Sequence, residues 1–209
     1  MANMQLNPHS FDANGSTSTI SPRQIEIIVS ASKLLTKYGS NGFTIKNLAK
    51  NMKFSEAALY RHFVSKEAII VSCLDYITGE LENRLNQLDK SQPTSTRFLN
   101  YFNCVFSYFQ ENAHFLTVGF SDGLFELTDP INKASANFNS NLQKHLFPIV
   151  MDGKLNNTFP MEVHSEQIVH IVIGTLRLHL LKWRTSHFAS DMQRSGIDLA
   201  QTLLTLFGK

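Results

Sequence analysis

Residues 44–66, TIKNLAKNMKFSEAALYRHFVSK, constrain this chain more than any other stretch. Thr44, Ser55 and Ser65 each stand where a hydroxyl can cap a helix start. Three such starts within 22 residues leave room only for short helices joined by tight turns. The first is expected to run to about Asn51, a turn to occupy residues 51–54, the second helix to end near Phe63, and a third to open at Ser65. Short helix, turn, short helix is the order of a helix-turn-helix. Leu48, Ala49, Leu59 and Phe63 are the apolar positions that would lock the two helices together, and Ala49 is small enough for a close crossing. Glu56, Ala57, Tyr60 and Arg61 are left facing outward.

That arrangement suits a nucleic-acid duplex. A helix N-terminus presents unpaired N–H groups and a partial positive charge, which attract phosphate. Thr44 and Ser55 place hydroxyls at two such ends. Between residues 21 and 66 stand eight basic side chains (Arg23, Lys33, Lys37, Lys46, Lys50, Lys53, Arg61 and Lys66) and two acidic ones, Glu26 and Glu56. This block therefore carries +6 of a whole-chain charge of +2, and the remainder is −4. A basic block on a mildly acidic body is the footprint of a localised nucleic-acid surface, although a solvated helical face also collects lysines.

The same residues resemble the DNA-binding module of the TetR family of bacterial transcriptional regulators. The family pattern is a Thr, an Ile/Leu-Ala pair, a Gly-containing turn, a Ser and a Tyr-x-His-Phe-x-x-Lys run. Here it is met by Thr44, Leu48-Ala49, Ser55, Tyr60-Arg61-His62-Phe63 and Ser65-Lys66. The preceding helical stretch, residues 21–38, followed by Gly39 and Gly42-Phe43, fits as well. Lys53 departs from the pattern, standing where the family usually has Gly. A left-handed Lys there costs about 1 kcal/mol more than Gly; alternatively the turn bends differently and the ammonium is offered to a phosphate. The resemblance implies that Thr44, Tyr60, His62 and Lys66 contact the backbone of the duplex, and that Ser55, Glu56, Ala57 and Arg61 face the major groove or its rim. Arg61 can pair with guanine, Glu56 can accept from cytosine and Ala57 can pack on a thymine methyl. Plainer readings stand beside these. Glu56 complements a helix dipole, Arg61 touches phosphate only, and His62 caps or packs.

At 209 residues the chain has room for a small domain and a second of ordinary size, here divided into a tail over 1–20, a DNA-binding domain over 21–66 and a helical body over 67–209. The tail is rich in Asn, Ser and Thr, lacks a secretory pattern and reads as disordered. No stretch reaches the length of a membrane span; the most apolar, residues 168–181, is interrupted by His170, Arg177 and His179. Cys73 and Cys104 read as buried, reduced thiols, with a redox pair as the alternative, and a cytoplasmic protein fits.

Helical spacing dominates the body. Residues 65–88 form one long helix joining the two domains, 89–95 a hydrophilic break, and 96–109 a helix apolar on most sides and hence buried. A short piece covers 113–120. Asp129 is expected to cap the next helix, with Pro130 in its first turn and residues 151–153 closing it. A long apolar helix over 162–183 and a last one from Ser190 or Asp191 to Gly208 complete an all-α architecture. The apolar positions of the 162–183 helix spread over more than one face, so one face needs a partner, and Gly174 allows close approach of a second copy. The family resemblance likewise implies pairing by the C-terminal helices. The expected interface is Ile171, Gly174, Leu178, Leu181, Leu199, Leu203 and Leu206.

The resemblance also implies a small-molecule pocket among the middle helices. Its candidate lining is Phe102, Phe106, Phe109, Phe120, Phe125, Phe138, Leu142 and Trp183, although any single Phe among them reads first as ordinary core. The expected function is a homodimeric repressor on a palindromic operator, released when an apolar effector shifts the middle helices. No cofactor, metal or catalytic residue is expected: the eight histidines are scattered, and there is no HExxH, GxSxG or CxxC. A different class, an interaction protein that uses DNA as a scaffold, such as a nucleoid-occlusion factor, shares the SEAALYRHF stretch and little else.

Overall fold

The computed structural model describes residues 10–11, 17–18, 20–120 and 128–208. The fold is all-α. Among the described residues the sole extended pairing is Ser10–Phe11 against Thr17–Ser18, two residues each, antiparallel. The rest of the expected 1–20 tail lies outside the described residues, except Ile20, which is buried.

Helix α1, Pro22–Gly42, opens on a reciprocal cap: the Gln24 N–H donates to Ser21 Oγ at 3.3 Å, and the Ser21 N–H donates to Gln24 Oε1 at 3.0 Å. Gly39, expected to end the helix, breaks it at φ 65°, ψ −169°, and a last turn follows. Helices α2 (Ile45–Met52), α3 (Glu56–Tyr60) and α4 (Lys66–Asn86) come next. Thr44, Ser55 and Ser65 accept from the N–H groups of Asn47, Ala58 and Ala68 at 3.1, 3.1 and 3.0 Å, so all three expected caps form. Helix α3 is shorter than expected because the chain must become extended at Ser65 (φ −156°) to cap α4.

The body contains α5 (Thr94–Glu111), α6 (Leu116–Phe120, after a 3-10 turn at Ala113–Phe115), α7 (Asp129–Leu155), α8 (Ser165–Thr185) and α9 (Met192–Phe207). Two boundaries correct the sequence reading. Asp129 is the first helical residue of α7 and not its cap, which is Thr128 without a side-chain bond. Helix α7 also continues through Gly153, because Phe159 folds onto that residue so closely that a Cβ there would lie 2.1 Å from the ring. A glycine that looks like a terminator is a packing site.

Helix α5 is the centre of the body. Phe98, Tyr101, Phe102, Val105, Phe106, Tyr108 and Phe109 are all buried, against α9 on one side and α7 and α4 on others. Helix α4 packs on α1 at one end and on α7 along its length, and one apolar cluster runs from Leu48 and Leu59 of the first helices through Leu74 and Leu81 to Leu142 and Leu176. A second joint is polar: Thr36 on α1 donates to the His114 carbonyl at 2.8 Å and lies 3.2 Å from Thr117 Oγ1 on α6. Cys73 is buried and Cys104 half-buried, both free, and burial pushes the Cys104 thiol up to about 11.

Asp75 of α4 is partly buried, and desolvation raises its carboxyl to about 6. A folded-state value above the unfolded one means stability that is full below pH ~4 and lost as pH rises through 6. Asp75→Asn is therefore expected to stabilise the protein by about 1–2 kcal/mol at pH 7.5, after allowance for solvent screening of a partly exposed group. The gain should shrink towards zero as pH falls to 4, which urea unfolding across that range would measure.

Candidate nucleic-acid interface

Helices α2 and α3 are set by burial on one side only. Leu48, Ala49, Leu59 and Phe63 are buried, as expected of the locking positions. Because α3 turns Leu59 inward, Ser55, Glu56, Ala57, Tyr60 and Arg61 are exposed together, with Tyr60 half exposed at 50%. Thr44 is exposed at the head of α2. Lys66, first residue of α4, lies over the Phe43 ring at 5.3 Å, which holds its long side chain in place. His62 is half-buried, and its carbonyl accepts from Gln24 Nε2 at 3.5 Å, so the backbone there is tied to α1.

Two further contacts fix α2 and the turn against α1. Ser30 Oγ donates to Asn51 Oδ1 at 3.0 Å, and the Arg23 guanidinium stands 5.2 Å from the Phe54 ring centroid. The exposed face of α2 and α3 is therefore carried on a braced three-helix unit. Lys46, counted above only within the basic block, and Asn47, not expected from sequence, are exposed as well in the first turn of α2 beside Thr44. Their signal was positional: an exposed basic residue two places past a cap shares that helix end with the capping hydroxyl.

Lys53 resolves the question raised by its missing glycine. It adopts φ 57°, ψ 39°, the left-handed conformation, and its N–H is directed at the carbonyls of Ala49 and Lys50. The turn thus keeps the shape glycine would give, at the energetic cost of a Cβ. Lys53→Gly is expected to raise unfolding stability by about 1 kcal/mol. If the exposed ammonium meets a phosphate, the same change lowers the slope of log affinity against log salt by about one. Denaturant unfolding and a DNA titration at several salt concentrations check the two effects separately.

The expected dimer-interface residues divide. On α8, Ile171 and Leu178 are exposed at 49% and 51%, Leu181 is half-buried, and a Cβ built on Gly174 would meet nothing within 4 Å. Ile171, Gly174 and Leu178 form one exposed stripe, with Leu181 at its half-buried end. On α9 the expectation fails for Leu203, which is 5% exposed and packs into the protomer's own core, and Leu199 is half-buried against that core. The reason is the α5–α9 contact: α9 turns Met192, Gly196, Ala200 and Leu203 inward. Leu206, at 73% exposure, stays outside.

The expected pocket residues are buried. Phe109, Phe120 and Phe138 touch edge to face with centroids 5.2 and 5.3 Å apart, and Phe102 and Phe106 are 5.8 Å apart. Leu142 is buried, and its carbonyl accepts from Tyr101 Oη at 3.0 Å. Trp183 packs on Phe188 and donates Nε1–H to the Ser190 carbonyl at 2.8 Å, which fastens the α8–α9 connection. Phe125 lies outside the described residues. Among the described residues, no three His, Cys, Asp or Glu side chains converge on a common metal position, and no helix is long and apolar enough to cross a membrane.

Comparison with known proteins agrees with this geometry. Residues 27–73 match the family model described as bacterial regulatory proteins, tetR family. The uncharacterized HTH-type transcriptional regulator YuxN of Bacillus subtilis is 28% identical over 157 residues, 74% of this chain, and the chain spans only about half (52%) of that relative's length. The nucleoid occlusion factor SlmA of Vibrio campbellii is 29% identical over 163 residues, 74% of this chain and 82% of that protein. That alignment runs well past the DNA-binding module, further than the shared motif alone indicated. The transcriptional regulator FadR of Bacillus subtilis, solved in complex with stearoyl-CoA, superposes with a TM-score of 0.74 at 15% identity, covering 88% of this chain and 96% of that one.

Proposed function

We propose, from a chain that carries the TetR-family helix-turn-helix module, that the protein is a homodimeric repressor which reads a palindromic operator and releases it on binding an apolar effector. The observation that carries this reading is the outward set of Ser55, Glu56, Ala57, Tyr60 and Arg61 on a braced α3, flanked by Thr44 and Lys66. Side-chain contacts to base edges supply sequence preference, while the hydroxyls, Tyr60 and the lysines supply phosphate contacts that fix register. A helix of five residues reads few base pairs, so two copies related by a two-fold axis are needed for a site of useful length.

The α8 stripe supports the dimer. Among the described residues, Ile171 and Leu178 leave about half of their surface uncovered, and the open Gly174 lets a second α8 approach closely. The aromatic cluster of α5, α6 and α7 supports an apolar effector, and the fold it shares with a regulator solved with stearoyl-CoA makes a long-chain acyl compound a reasonable class to test first. Effector entry must displace rings that already touch one another. The displacement would reach α1 through Thr36 and α4 through its packing on α7, changing the separation of the two α3 helices.

Recovery of genomic fragments by the purified protein at near-physiological salt tests the reading. A two-fold symmetric sequence at a few promoters is the expected product. Many dispersed sites unrelated to promoters would favour a DNA-scaffolded interaction protein instead, and fragments without a common sequence would contradict both.

A further inference from the structure

The chain ahead of α1 makes contact with the rest of the fold. Strand β1 (Ser10–Phe11) pairs antiparallel with β2 (Thr17–Ser18), Ser10 opposite Ser18 and Phe11 opposite Thr17. The sequence between them includes Asn14-Gly15, the dipeptide best suited to reversing a chain. Strand β1 packs against α4. Its tether is short. Ser21 follows Ser18 by three residues, at most about 10 Å of chain, and Ile20 between them is buried. Gln24 Nε2 donates to the His62 carbonyl at 3.5 Å, so the head of α1 stands beside the residues that lead into α4. The hairpin is thereby kept near the first turns of α4.

Helix α4 carries a face suited to it. Ala68, Ser72, Asp75 and Gly79 follow one another at helical spacing and share one stripe. The core side of the helix is a different one, occupied by Ile70, Cys73, Leu74, Ile77 and Leu81. A polar stripe away from the core should be open to water. Yet all four residues are half-buried, whereas Asn83 and Asn86, which continue the same stripe, are exposed. The cover therefore ends between Gly79 and Asn83. Asp75, in the middle of the covered length, is desolvated enough to raise its carboxyl to about 6. Ala68, Ser72 and Gly79 are small, which lets another backbone come close.

We propose that the N-terminal hairpin is an intramolecular strap, docked along Ala68, Ser72, Asp75 and Gly79, which holds the first half of α4 in place and so strengthens DNA binding. Helix α4 starts at Lys66, on the candidate DNA face, and directly follows α3. Elements already held in place lose less freedom when they meet a duplex, and that saving appears as affinity. The docking stands apart from the regulator reading; the effect on DNA rests on it.

Chymotryptic cleavage after Phe11 in the full-length protein without DNA, followed by mass spectrometry, tests the docking. A docked backbone is cut only from its released form, so the wild type should be cut at least about tenfold more slowly than a free peptide of residues 1–20. Gly79→Gln should be cut at close to the peptide's rate, because a side chain there stands in the path of the strap. On an open helix face the same change would only favour the helix. Titration of the recovered genomic sequence tests the consequence. A chain lacking residues 1–19, which keeps the buried Ile20, should bind at least about threefold more weakly than the full chain. Wild-type cleavage at the peptide's rate, protection that survives Gly79→Gln, or equal DNA affinity of the full and shortened chains would each overturn the proposal. If neither chain prefers the genomic sequence to a scrambled duplex, the regulator reading fails, and the cleavage rates still decide whether the strap is docked.

Discussion

Leu178→Arg is expected to yield a folded monomer whose affinity for a two-half-site duplex has dropped by at least about a hundredfold. In the protomer Leu178 is half exposed and lies along a stripe with Ile171 and the open Gly174, so an arginine there can extend into solvent without entering the core. In a two-fold interface centred on this stripe, Leu178 would face the same apolar patch on the second copy, because each patch meets itself. Two guanidinium groups would then be buried without partners in an apolar seam, at a cost of several kcal/mol. Each α3 still reads its half-site, but the second contact is no longer made at the effective concentration that linkage provides. Sedimentation velocity should show half the wild-type mass with a cooperative thermal transition retained. A dimer that persists in this variant would rule out the α8 face as the interface.

Gly196→Val is expected to destabilise the protein by about 3 kcal/mol or more. On a solvated helix the opposite sign would hold, since replacing glycine by alanine gains about 1 kcal/mol of helix propensity. Here the surroundings decide. A Cβ at Gly196 would lie 2.0 Å from Phe106 Cδ2 and 2.6 Å from two other ring atoms. The ring is fully buried among Phe102, His179 and α9, and has nowhere to retreat. Helix α9 would have to lift from α5, losing the burial of Met192, Ala200 and Leu203 as well. Even Gly196→Ala should lose more from overpacking than it gains in propensity. Denaturant midpoints at unchanged slope measure both variants; a stable Gly196→Val protein would mean that α5 and α9 are not in close contact.

The first helices were legible in the sequence because their signals are local. A hydroxyl caps the helix that follows it wherever the rest of the chain goes, and Ser21, Thr44, Ser55 and Ser65 all do so. The outward face of α3 follows from the apolar positions that lock it, so Glu56, Ala57, Tyr60 and Arg61 could be named beforehand. What depended on distant partners was less readable. Gly153 reads as a stop until Phe159 is seen folded onto it. The leucines of α9 suggest a stripe through Leu199, Leu203 and Leu206, yet the buried face runs through Gly196 and Ala200, small residues that a hydrophobic pattern overlooks and that α5 selects by its bulk.

The most direct measurement is equilibrium binding of wild type and Tyr60→Ala to the recovered genomic sequence and to a scrambled duplex, across a salt series. The account predicts that the wild type prefers the genomic sequence by at least about a thousandfold near physiological salt. Tyr60→Ala should weaken that binding while the protein keeps its thermal stability, since the side chain is half exposed and makes no locking contact. Equal affinity for both duplexes, steeply salt-dependent and unchanged in Tyr60→Ala, would contradict the account: the module would then be a basic surface and not a reader of sequence.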